Sequence, residues 1–461
     1  MAEYEFGVIG LGTMGSNFLL NMLDKGFSAT GYDKDATQVQ VMNTGLQGRS
    51  VAYSDLTAFL NVLKTPRKIV LLVPAGKVVD YVLNDLEPLL GVEDIVVDSG
   101  NSFFRDTMAR AERMQKKSVH FMGMGISGGE EGARHGASLM PGGDAQAYVG
   151  IGPMLEKVSA RAFDEPCTAY MGNGAAGHYV KMVHNGIEYS MMQLISETWH
   201  LMKGSMGMSG EEIVKTFGEW NKGRLNSYLM EVTIAVLKQQ HEGKLLVDRI
   251  LDAAAQKGTG SWTSQDAFQI GCPVPAIDAA VIQRIISSFK NERVQINSMI
   301  TDSPDAINQP DLSLPDLEAA LYAGYLLSYS QGFHMIAVAS EAYGFNTELH
   351  EVAKIWRGGC IIRSAMLQKM IPILKHTGFM LKDQGFLNMV AEPWHQMKAV
   401  LKNGVDNEVP LPGYSACFNY FLSFKSKWLA ANLIQAQRDY FGAHGFKRVD
   451  MEGDFYMDWD F

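Results

Sequence analysis

A glycine-rich turn near the N-terminus restricts the fold more than any other feature of this chain. It follows a short apolar strand, Phe6–Ile9, and opens a segment with helical spacing. Its residues are Gly10, Leu11, Gly12, Thr13, Met14 and Gly15. In this setting the glycines permit a tight turn, the approach of a pyrophosphate to the backbone, and close packing of the helix. The pattern predicts a dinucleotide-binding βαβ unit whose helix N-terminus faces the phosphates.

The first part of the chain continues this alternation of strands and helices. Further apolar runs, at 29–32, 68–73 and 94–98, end in turn or polar residues. Such alternation is typical of a parallel sheet covered by helices on both faces. We therefore predict an α/β Rossmann-type, doubly wound sheet.

From about Gly177 onward the pattern changes to long segments with helical periodicity. These segments are 178–203, 210–240, 276–302, 316–343, 348–376 and 424–441. They predict a large all-α domain. We place a dinucleotide-binding domain at 1–176, an all-helical substrate domain at 177–437, and an extended, aromatic C-terminal tail at 438–461.

Composition excludes several classes of function. The chain has 461 residues and a formal net charge of −10, which speaks against a nucleic-acid partner. It has no run of about twenty apolar residues and no signal peptide, so we expect no membrane association. The four cysteines are Cys167, Cys272, Cys360 and Cys417. Their wide spacing indicates neither a metal site nor a disulfide framework and fits a reducing cytoplasm.

The segment from Lys181 to Tyr189 carries the chemistry. On a helix, Lys181, His184, Asn185 and Glu188 lie on one face, because they are spaced at i, i+3, i+4 and i+7. The surrounding residues are largely apolar, which is typical of a buried helix. Because buried ionisable groups are costly unless they are paired or used, an amine and a carboxylate here indicate a proton-handling site.

Asp33, at the end of the second strand, bears on the choice of cofactor. A carboxylate at this point accepts hydrogen bonds from the adenosine ribose of NAD and repels the 2′-phosphate of NADP. Lys34 partly offsets that repulsion, whereas Asp35 adds to it. These residues favour NAD.

Two further segments contain candidate substrate-binding groups. Asn101 follows the buried strand at 94–98, and the carboxyl ends of parallel strands face the ligand crevice. A second glycine-rich segment, 123–132, includes Ser127, Gly128 and Gly129, and we interpret it as a loop whose main-chain N–H groups line an anion site. Taken alone, the asparagine is also compatible with an ordinary turn, and the glycine-rich segment with a flexible surface loop.

Five polar residues in the second half of the chain are candidates for binding a phosphate. Lys257 and Thr259 offer an ammonium and a hydroxyl beside two glycines. Arg284 lies on an otherwise apolar helix and needs a partner, while Arg438 and His444 stand near the C-terminus. Taken singly, each is more typical of a solvated or ion-paired surface charge.

Taken together, these segments resemble the long form of the 6-phosphogluconate dehydrogenase family, within the β-hydroxyacid dehydrogenase superfamily. The resemblance runs from residue 6 to about residue 446. The matching stretches are GLGTMG, DSGNSFFRDT, SGGEEGARHG, SLMPGG, GAAGHYVKMVHNGIEY, QKGTG, WRGGCIIRS and IQAQRDYFGAH. The family implies oxidative decarboxylation of 6-phospho-D-gluconate to D-ribulose 5-phosphate and CO2, with reduction of NAD or NADP, in the pentose phosphate pathway.

The resemblance also implies a role for each matching residue. Lys181 is similar to the general base and Glu188 to the acid that protonates C1. The substrate chain would be held by Asn101, Ser127, Gly128, Gly129, His184 and Asn185, and the phosphate by Tyr189, Lys257, Thr259 and Arg284. The family implies an obligate homodimer in which Arg438 and His444 reach the neighbouring subunit's phosphate site from the tail. The cofactor would be contacted by Gly10 to Gly15, Asp33, Lys34, Asp35, Val73, Pro74, Ala75 and Asn101.

The sequence departs from the family pattern at three places. Where the common form has Asn-Arg-Thr, with its arginine on the 2′-phosphate, this chain has Asp33, Lys34 and Asp35. Where the family usually has Val-Lys-Ala, this chain has proline at position 74. NADP is the family default, so both changes favour NAD. The third change, Arg224 in place of glutamate, has no explanation in the sequence.

Two other functions compete with this interpretation. A dehydrogenase of unphosphorylated β-hydroxyacids would share the glycine-rich motifs, but those chains are usually much shorter and lack Lys257, Arg284, Arg438 and His444. A nucleotide sensor without turnover would require loss of the acid–base pair, and both of its members are present.

Overall fold

A computed structural model describes residues 3–256, 258–300 and 312–459. The N-terminal part confirms the predicted doubly wound sheet. Its strands are β1 (Phe6–Ile9), β2 (Ala29–Tyr32), β3 (Ala52–Tyr53), β4 (Lys68–Leu71), β5 (Ile95–Asp98), β6 (His120–Ser127) and β7 (Ser138–Gly143). They form a seven-stranded sheet in the order β3-β2-β1-β4-β5-β6-β7, parallel except for the antiparallel pair β6–β7. The order reverses direction between β1 and β4, which is where open α/β sheets bind their ligands.

Helices cover both faces of this sheet. They are α1 (Thr13–Asp24), α2 (Ala36–Leu46), α3 (Leu56–Asn61), α4 (Lys77–Leu86), α5 (Phe104–Gln115), α6 (Gly129–His135) and α7 (Ala145–Val158). Two apolar clusters, one on each face, fill the space between strands and helices. A short hairpin, β8 (Arg161–Ala162) with β9 (Glu165–Pro166), follows α7.

The rest of the chain is mainly helical, as predicted. Its helices are α8 (Ala176–His200), α9 (Gly210–Trp220), α10 (Tyr228–Leu237), α11 (Thr259–Gln269), α12 (Pro275–Ser288), α13 (Lys290–Met299), α14 (Leu314–Tyr343), α15 (Leu349–Ile355), α16 (Met366–Leu374), α17 (Gln384–Ala391), α18 (Trp394–Asp406), α19 (Pro412–Lys425) and α20 (Ala431–Gly442). One hairpin, β10 (Gln240–His241) with β11 (Lys244–Leu245), lies among them. In the three described stretches, the helices lack the combination of length and apolar character needed to cross a membrane.

Helix α8 connects the sheet to the helical core, and this contact corrects one interpretation of the sequence. The segment 123–132 was expected to be a loop, but Gly123 and Gly125 lie inside strand β6. A Cβ atom at Gly123 would stand 2.6 Å from Nδ1 of His178, and one at Gly125 would stand 2.3 Å from Cβ of Lys181. These two glycines are therefore needed because α8 packs directly on the strand.

A buried carboxylate ties the two domains together. Asp266 on α11 accepts hydrogen bonds from Tyr179 (2.7 Å) on α8 and from Tyr343 (2.8 Å) on α14. Arg105 on α5 donates to the same carboxylate at 2.8 Å. Since Arg105 belongs to the nucleotide-binding domain, Asp266 holds that domain against three helices of the other.

The structure explains why an arginine stands at position 224. Its guanidinium lies between α9 and α10, 3.1 Å from Glu318 and 3.4 Å from Glu392. It also stacks over the ring of Tyr322, 4.5 Å from the ring centroid. Arg224 thus fastens this turn to α14 and to the end of α17 through groups that suit a cation.

The C-terminal segment folds mainly on itself. Asp439 of α20 accepts hydrogen bonds from the backbone N–H of Gly445 (2.8 Å) and from the indole of Trp459 (2.9 Å). Apolar side chains on the same helix point outward, with Leu433 and Ile434 each 60% exposed and Phe441 72% exposed. The proposed domain boundary at residue 438 falls inside this helix.

Candidate active site

The glycine-rich turn has the shape that a dinucleotide requires. Gly10 has a φ of +94°, and a Cβ atom there would stand 2.6 Å from the carbonyl oxygen of Leu72. A Cβ at Gly15 would stand 1.7 Å from the carbonyl oxygen of Gly10, so α1 approaches β1 more closely than a side chain would allow. Gly12 is exposed at the start of α1, with no atom within 4 Å of a Cβ placed there. Gly12 and the exposed Thr13 leave the first N–H groups of the helix open to a pyrophosphate.

Asp33 stands beside this turn, as its position in the sequence predicts. Its carboxylate accepts hydrogen bonds from the backbone N–H of Leu11 (2.8 Å) and of Asp35 (2.9 Å). Asp35 in turn caps α2 by accepting from the N–H of Thr37 at 2.8 Å, and Lys34 is exposed. The backbone therefore fixes a negative charge at the end of β2, next to the turn.

Two loops form the other side of the cleft. Val73, Pro74 and Ala75 lie between β4 and α4, and Asn101 lies between β5 and α5. Pro74, Ala75 and Asn101 are exposed, and the backbone at Gly100 packs near the carbonyl oxygen of Val73, 3.1 Å from a Cβ placed there. The structure therefore brings together, at one edge of the sheet, the loops that sequence analysis assigned to the cofactor.

Lys181 lies on α8, on the side that faces strand β6. Its side chain is only 7% exposed, and the predicted helical face with His184, Asn185 and Glu188 is present. Burial lowers the pKa of Lys181, and the negative charge of Glu188 opposes this lowering. A lowered pKa makes the neutral amine, which can act as a base, available nearer to neutral pH.

Glu188 and His184 complete the polar face. Burial raises the pKa of Glu188, against the opposing positive charges of Lys181 and Arg284. His184 is completely buried, and its Nδ1 lies 4.0 Å from the Glu188 carboxylate. Burial, reinforced by the charge of Lys181, holds the pKa of His184 well below its usual value, so the ring is neutral. The site thus combines a buried amine, a half-buried carboxyl and a neutral imidazole.

The neutral ring of His184 is held in a defined orientation. Its Nδ1 lies 3.2 Å from Oδ1 of Asn185, and its Nε2 lies 3.2 Å from Oγ of Ser127. With Nδ1–H donating to the amide oxygen, Nε2 accepts from the serine hydroxyl. Asn185, Ser127 and His184 are all buried, which fixes the three groups relative to one another.

The segment 356–364 closes the back of the site, although no role was predicted for it from the sequence. Trp356 packs edge-on against His184 at a ring distance of 5.6 Å. The carbonyl oxygen of Gly359 would stand 2.6 Å from a Cβ at Gly128, which has a φ of +124°. Gly129, with a φ of +63°, starts α6. In the sequence, the feature that could have indicated this close backbone contact is the pair of adjacent glycines that follows Trp356 and Arg357.

The predicted phosphate residues fall into two groups. Arg284 stacks on the ring of Tyr189 at 3.5 Å, and Tyr189 packs closely against Gly260, beside the buried Thr259 at the start of α11. Lys257 lies outside the described residues. Arg438 donates to Gln435 at 3.2 Å and the ring of His444 packs near that of Phe441; both side chains are exposed. These two residues are therefore engaged within the C-terminal segment.

Comparisons with known proteins agree with this geometry. Residues 177–459 match the model of the 6-phosphogluconate dehydrogenase C-terminal domain, and residues 5–172 match that of the NAD binding domain of 6-phosphogluconate dehydrogenase. The chain is 43% identical over 472 residues to the NADP(+)-dependent, decarboxylating 6-phosphogluconate dehydrogenase of Bacillus subtilis. It is 42% identical over 467 residues to the decarboxylating enzyme of Escherichia coli. Each alignment covers 100% of both chains.

A solved structure shows the same similarity in three dimensions. It is the Plasmodium falciparum 6-phosphogluconate dehydrogenase, described in its apo form, with its cofactor NADP+ and with its substrate 6-phosphogluconate. The TM-score is 0.95 at 37% identity, covering 99% of this chain and 100% of the other.

Proposed function

Because the chain belongs to the 6-phosphogluconate dehydrogenase family, we propose that it oxidises and decarboxylates 6-phosphogluconate, releasing ribulose 5-phosphate and CO2 and reducing NAD or NADP. The observation that carries the mechanism is the buried amine of Lys181 beside the half-buried carboxyl of Glu188 on one face of α8. The open glycine turn between β1 and α1 has a shape that fits a dinucleotide.

The first step removes a hydride from C3 of the substrate and a proton from the hydroxyl on that carbon. The neutral amine of Lys181 takes the proton of the 3-hydroxyl, and a bound dinucleotide would supply the acceptor for the hydride from C3. The glycine turn would hold its pyrophosphate and Asp33 its adenosine ribose. The family resemblance implies that Ser127, His184 and Asn185 hold the hydroxyl-bearing chain, and their mutual hydrogen bonds fix these three groups relative to one another.

The second step breaks the bond between C1 and C2. The oxidised substrate has a ketone β to its carboxylate, so the bonding electrons move toward the C3 oxygen as CO2 leaves. Lys181, now an ammonium, donates its proton to that oxygen and produces the enediol. Glu188 then protonates the carbon chain at its new C1 end while the neutral amine of Lys181 takes back the proton of the adjacent hydroxyl, which gives the ketose. One base and one acid with pKa values shifted toward each other therefore serve every proton transfer.

The assay that tests this function compares phosphorylated and unphosphorylated substrates. We expect formation of reduced nicotinamide, followed by absorbance, with 6-phosphogluconate but not with gluconate. The reason is the surface formed by Arg284, Tyr189 and Thr259, in which the guanidinium stacks on the tyrosine ring. This partly cationic surface would bind the phosphate of 6-phosphogluconate, which gluconate lacks. Equal efficiency with an unphosphorylated β-hydroxyacid would instead support the competing dehydrogenase function.

We predict a preference for NAD over NADP. The Asp33 carboxylate is fixed by two backbone N–H groups beside the turn, where it would face the 2′-phosphate of NADP. Asp33→Asn keeps the acceptor for Leu11 but removes the charge, so we expect the ratio of kcat/KM for NADP to that for NAD to rise about tenfold, or about 1.4 kcal/mol. Asp55→Asn is the control, because the Asp55 carboxylate also accepts a hydrogen bond from a backbone N–H, that of Ala58 in the first turn of α3. A wild-type enzyme that uses NADP as well as NAD would contradict the prediction.

We also propose that the protein works as a homodimer whose tails complete the partner's sites. The exposed apolar residues Leu433, Ile434 and Phe441 support this proposal, because an outward apolar helix face needs a partner. Arg438 and His444 stand on the same segment and are exposed. A second copy is the natural partner, since the family resemblance implies that these two residues reach the phosphate from a neighbouring subunit.

Complementation tests the shared site. Lys181→Met removes the base from one chain, and the double substitution Arg438→Ala, His444→Ala removes the tail contacts from the other. Random reassortment of the two inactive forms gives heterodimers with one intact site, so we expect about a quarter of wild-type activity after mixing and reassociation. Each form reassociated with itself is the control. No recovery in the mixture, despite demonstrated subunit exchange, would mean that the tail serves its own chain.

We propose the cytoplasm as the location. The four cysteines are unpaired and buried: Cys167, Cys272, Cys360 and Cys417. Free thiols of this kind are typical of a reducing compartment.

A further inference from the structure

Arg110 on α5 is a buried cation that none of the roles above uses. Its side chain is 4% exposed. Its Nε and Nη2 donate to Asp80 at 2.7 and 3.1 Å, and Nη2 also donates to the carbonyl oxygen of Gly76 at 3.0 Å. Its Nη1 lies 3.4 Å from both Asp98 and Ser102. The guanidinium therefore uses all its nitrogens on partners beneath the cleft.

These partners lie in, or directly next to, the two loops that form one side of the cleft. Gly76 ends the loop that carries Val73, Pro74 and Ala75, while Asp80 lies in the first turn of α4. Asp98 and Ser102 enclose the loop that carries Asn101. Each loop therefore rests on one side of the same guanidinium.

Within the second loop, Asp98 organises the backbone. Its carboxylate accepts from the hydroxyl of Ser102 at 2.7 Å and from the N–H of Gly100 at 3.1 Å. Asp98 is completely buried and Ser102 is 5% exposed, whereas Asn101 between them is exposed toward the cleft. The position of Asn101 is thus set from below, by groups that cannot themselves touch a ligand.

We propose that Arg110 is a positioning residue that fixes the cofactor loop and the substrate loop relative to each other. The inference rests on the proposed function, which assigns Val73 to Ala75 to the cofactor and Asn101 to the substrate. A planar guanidinium with five N–H donors can bind both loops at once, whereas a lysine ammonium reaches one of them. Small displacements of such loops lower the reaction rate strongly, because reacting groups must be held within a fraction of an ångström.

A purely structural role, in which Arg110 only joins α4 to α5, is separable from this one. Arg113 lies about one turn later on α5 and already joins the two helices, with its Nε donating to Glu87 at 2.7 Å. Glu87 lies at the end of α4, away from both loops. Arg113→Lys therefore changes the same residue type on the same helix pair without touching Gly76, Asp98 or Ser102.

The experiment compares Arg110→Lys with Arg113→Lys in the full-length protein. We expect Arg110→Lys to raise the KM for the dinucleotide and the KM for 6-phosphogluconate together, each roughly tenfold, with kcat/KM falling up to about a hundredfold. Arg113→Lys should keep wild-type constants. Ser102→Ala, which removes one of the loop contacts but leaves the ion pair with Asp80, should raise the same two constants by a smaller factor and serves if Arg110→Lys does not fold.

Several outcomes would overturn the inference. Kinetic constants of Arg110→Lys equal to those of Arg113→Lys, or a rise in only one KM, would show that Arg110 does not hold both loops. A lower melting temperature with unchanged kinetic constants would show that its role is only structural. Calorimetric titration of NADH into the same variants separates this test from the test of the proposed function. Absence of turnover in the wild type would refute the proposed function. Weaker NADH binding in Arg110→Lys, but not in Arg113→Lys, would still support the contact between Arg110 and the loops.

Discussion

Lys181→Met is expected to lower kcat by roughly 10³- to 10⁴-fold, the upper part of the range for a positioned acid–base group. Methionine has a similar length and suits the buried position, where Lys181 packs against Gly125. It cannot take the proton from the 3-hydroxyl or return it to the C3 oxygen, so both steps lose their proton carrier. Binding of 6-phosphogluconate should remain measurable by calorimetry, because the phosphate contacts are unchanged.

The control for this substitution is Lys203→Met. Lys203 lies just beyond α8, is partly exposed and pairs with Asp248 at the surface. We expect its replacement to leave kcat unchanged, which separates loss of the base from loss of any lysine near this helix. If Lys181→Met retained turnover within tenfold of the wild type, another group would have to be the base.

The sequence was sufficient to predict the shared polar face of α8 and its largely buried surroundings, for a physical reason. The spacing of Lys181, His184, Asn185 and Glu188 defines one face of any helix that forms there, and the apolar surroundings imply burial. Both properties are local, so they do not depend on how the rest of the chain folds. The same holds for the glycine turn, whose strand, turn and helix are contiguous in the sequence.

The sequence could not show which distant segments meet. Gly123 and Gly125 were interpreted as part of a loop, but they are strand residues over which α8 passes. Helical periodicity at 348–376 predicted one long helical segment, but the chain breaks between α15 and α16, where Gly359 has a φ of +64°. That break brings Gly359 against Ala137 and Ala160, which lie far from it in the sequence, and only the folded chain reveals these contacts.

Arg110 shows the same limit within the active site. Its partners Gly76, Asp80, Asp98 and Ser102 come from two loops, one helix and the end of one strand, and no spacing in the sequence relates them. As a sequence position, Arg110 is one arginine among the polar residues of α5. Only its burial and its five contacts distinguish it from Arg113, which binds Glu87 at the surface of the same helix.

Glu188→Gln is expected to lower kcat by roughly 10²- to 10³-fold, because the amide cannot protonate C1 of the enediol. Its effect should differ in kind from that of Lys181→Met. Oxidation precedes the step that needs the acid, so rapid mixing should show a burst of about one reduced dinucleotide per site, followed by slow turnover. Lys181→Met should show no burst. Absence of the burst in Glu188→Gln would place this carboxyl in the oxidation step instead.

The pH dependence gives a second, independent readout of Glu188. The base must be neutral, so kcat/KM rises as pH increases through the lowered pKa of Lys181. The acid must be protonated, so kcat/KM falls as pH increases through the raised pKa of Glu188. The wild-type profile should therefore be bell-shaped, and Glu188→Gln should lose the falling limb while keeping the rising one.

Glu197, a buried carboxyl on the same helix, provides the control that distinguishes Glu188 from another titrating group. Burial raises the pKa of Glu197 to about 7, so it could also produce a limb in the profile. Its carboxylate, however, accepts from the backbone N–H groups of Gly413 (2.7 Å) and Tyr414 (3.0 Å) at the start of α19, nine residues along the helix from Glu188. Glu197→Gln should lower the melting temperature by weakening this cap and leave both limbs of the profile in place. If the falling limb disappeared with Glu197→Gln and persisted with Glu188→Gln, the acid would have been assigned to the wrong carboxyl.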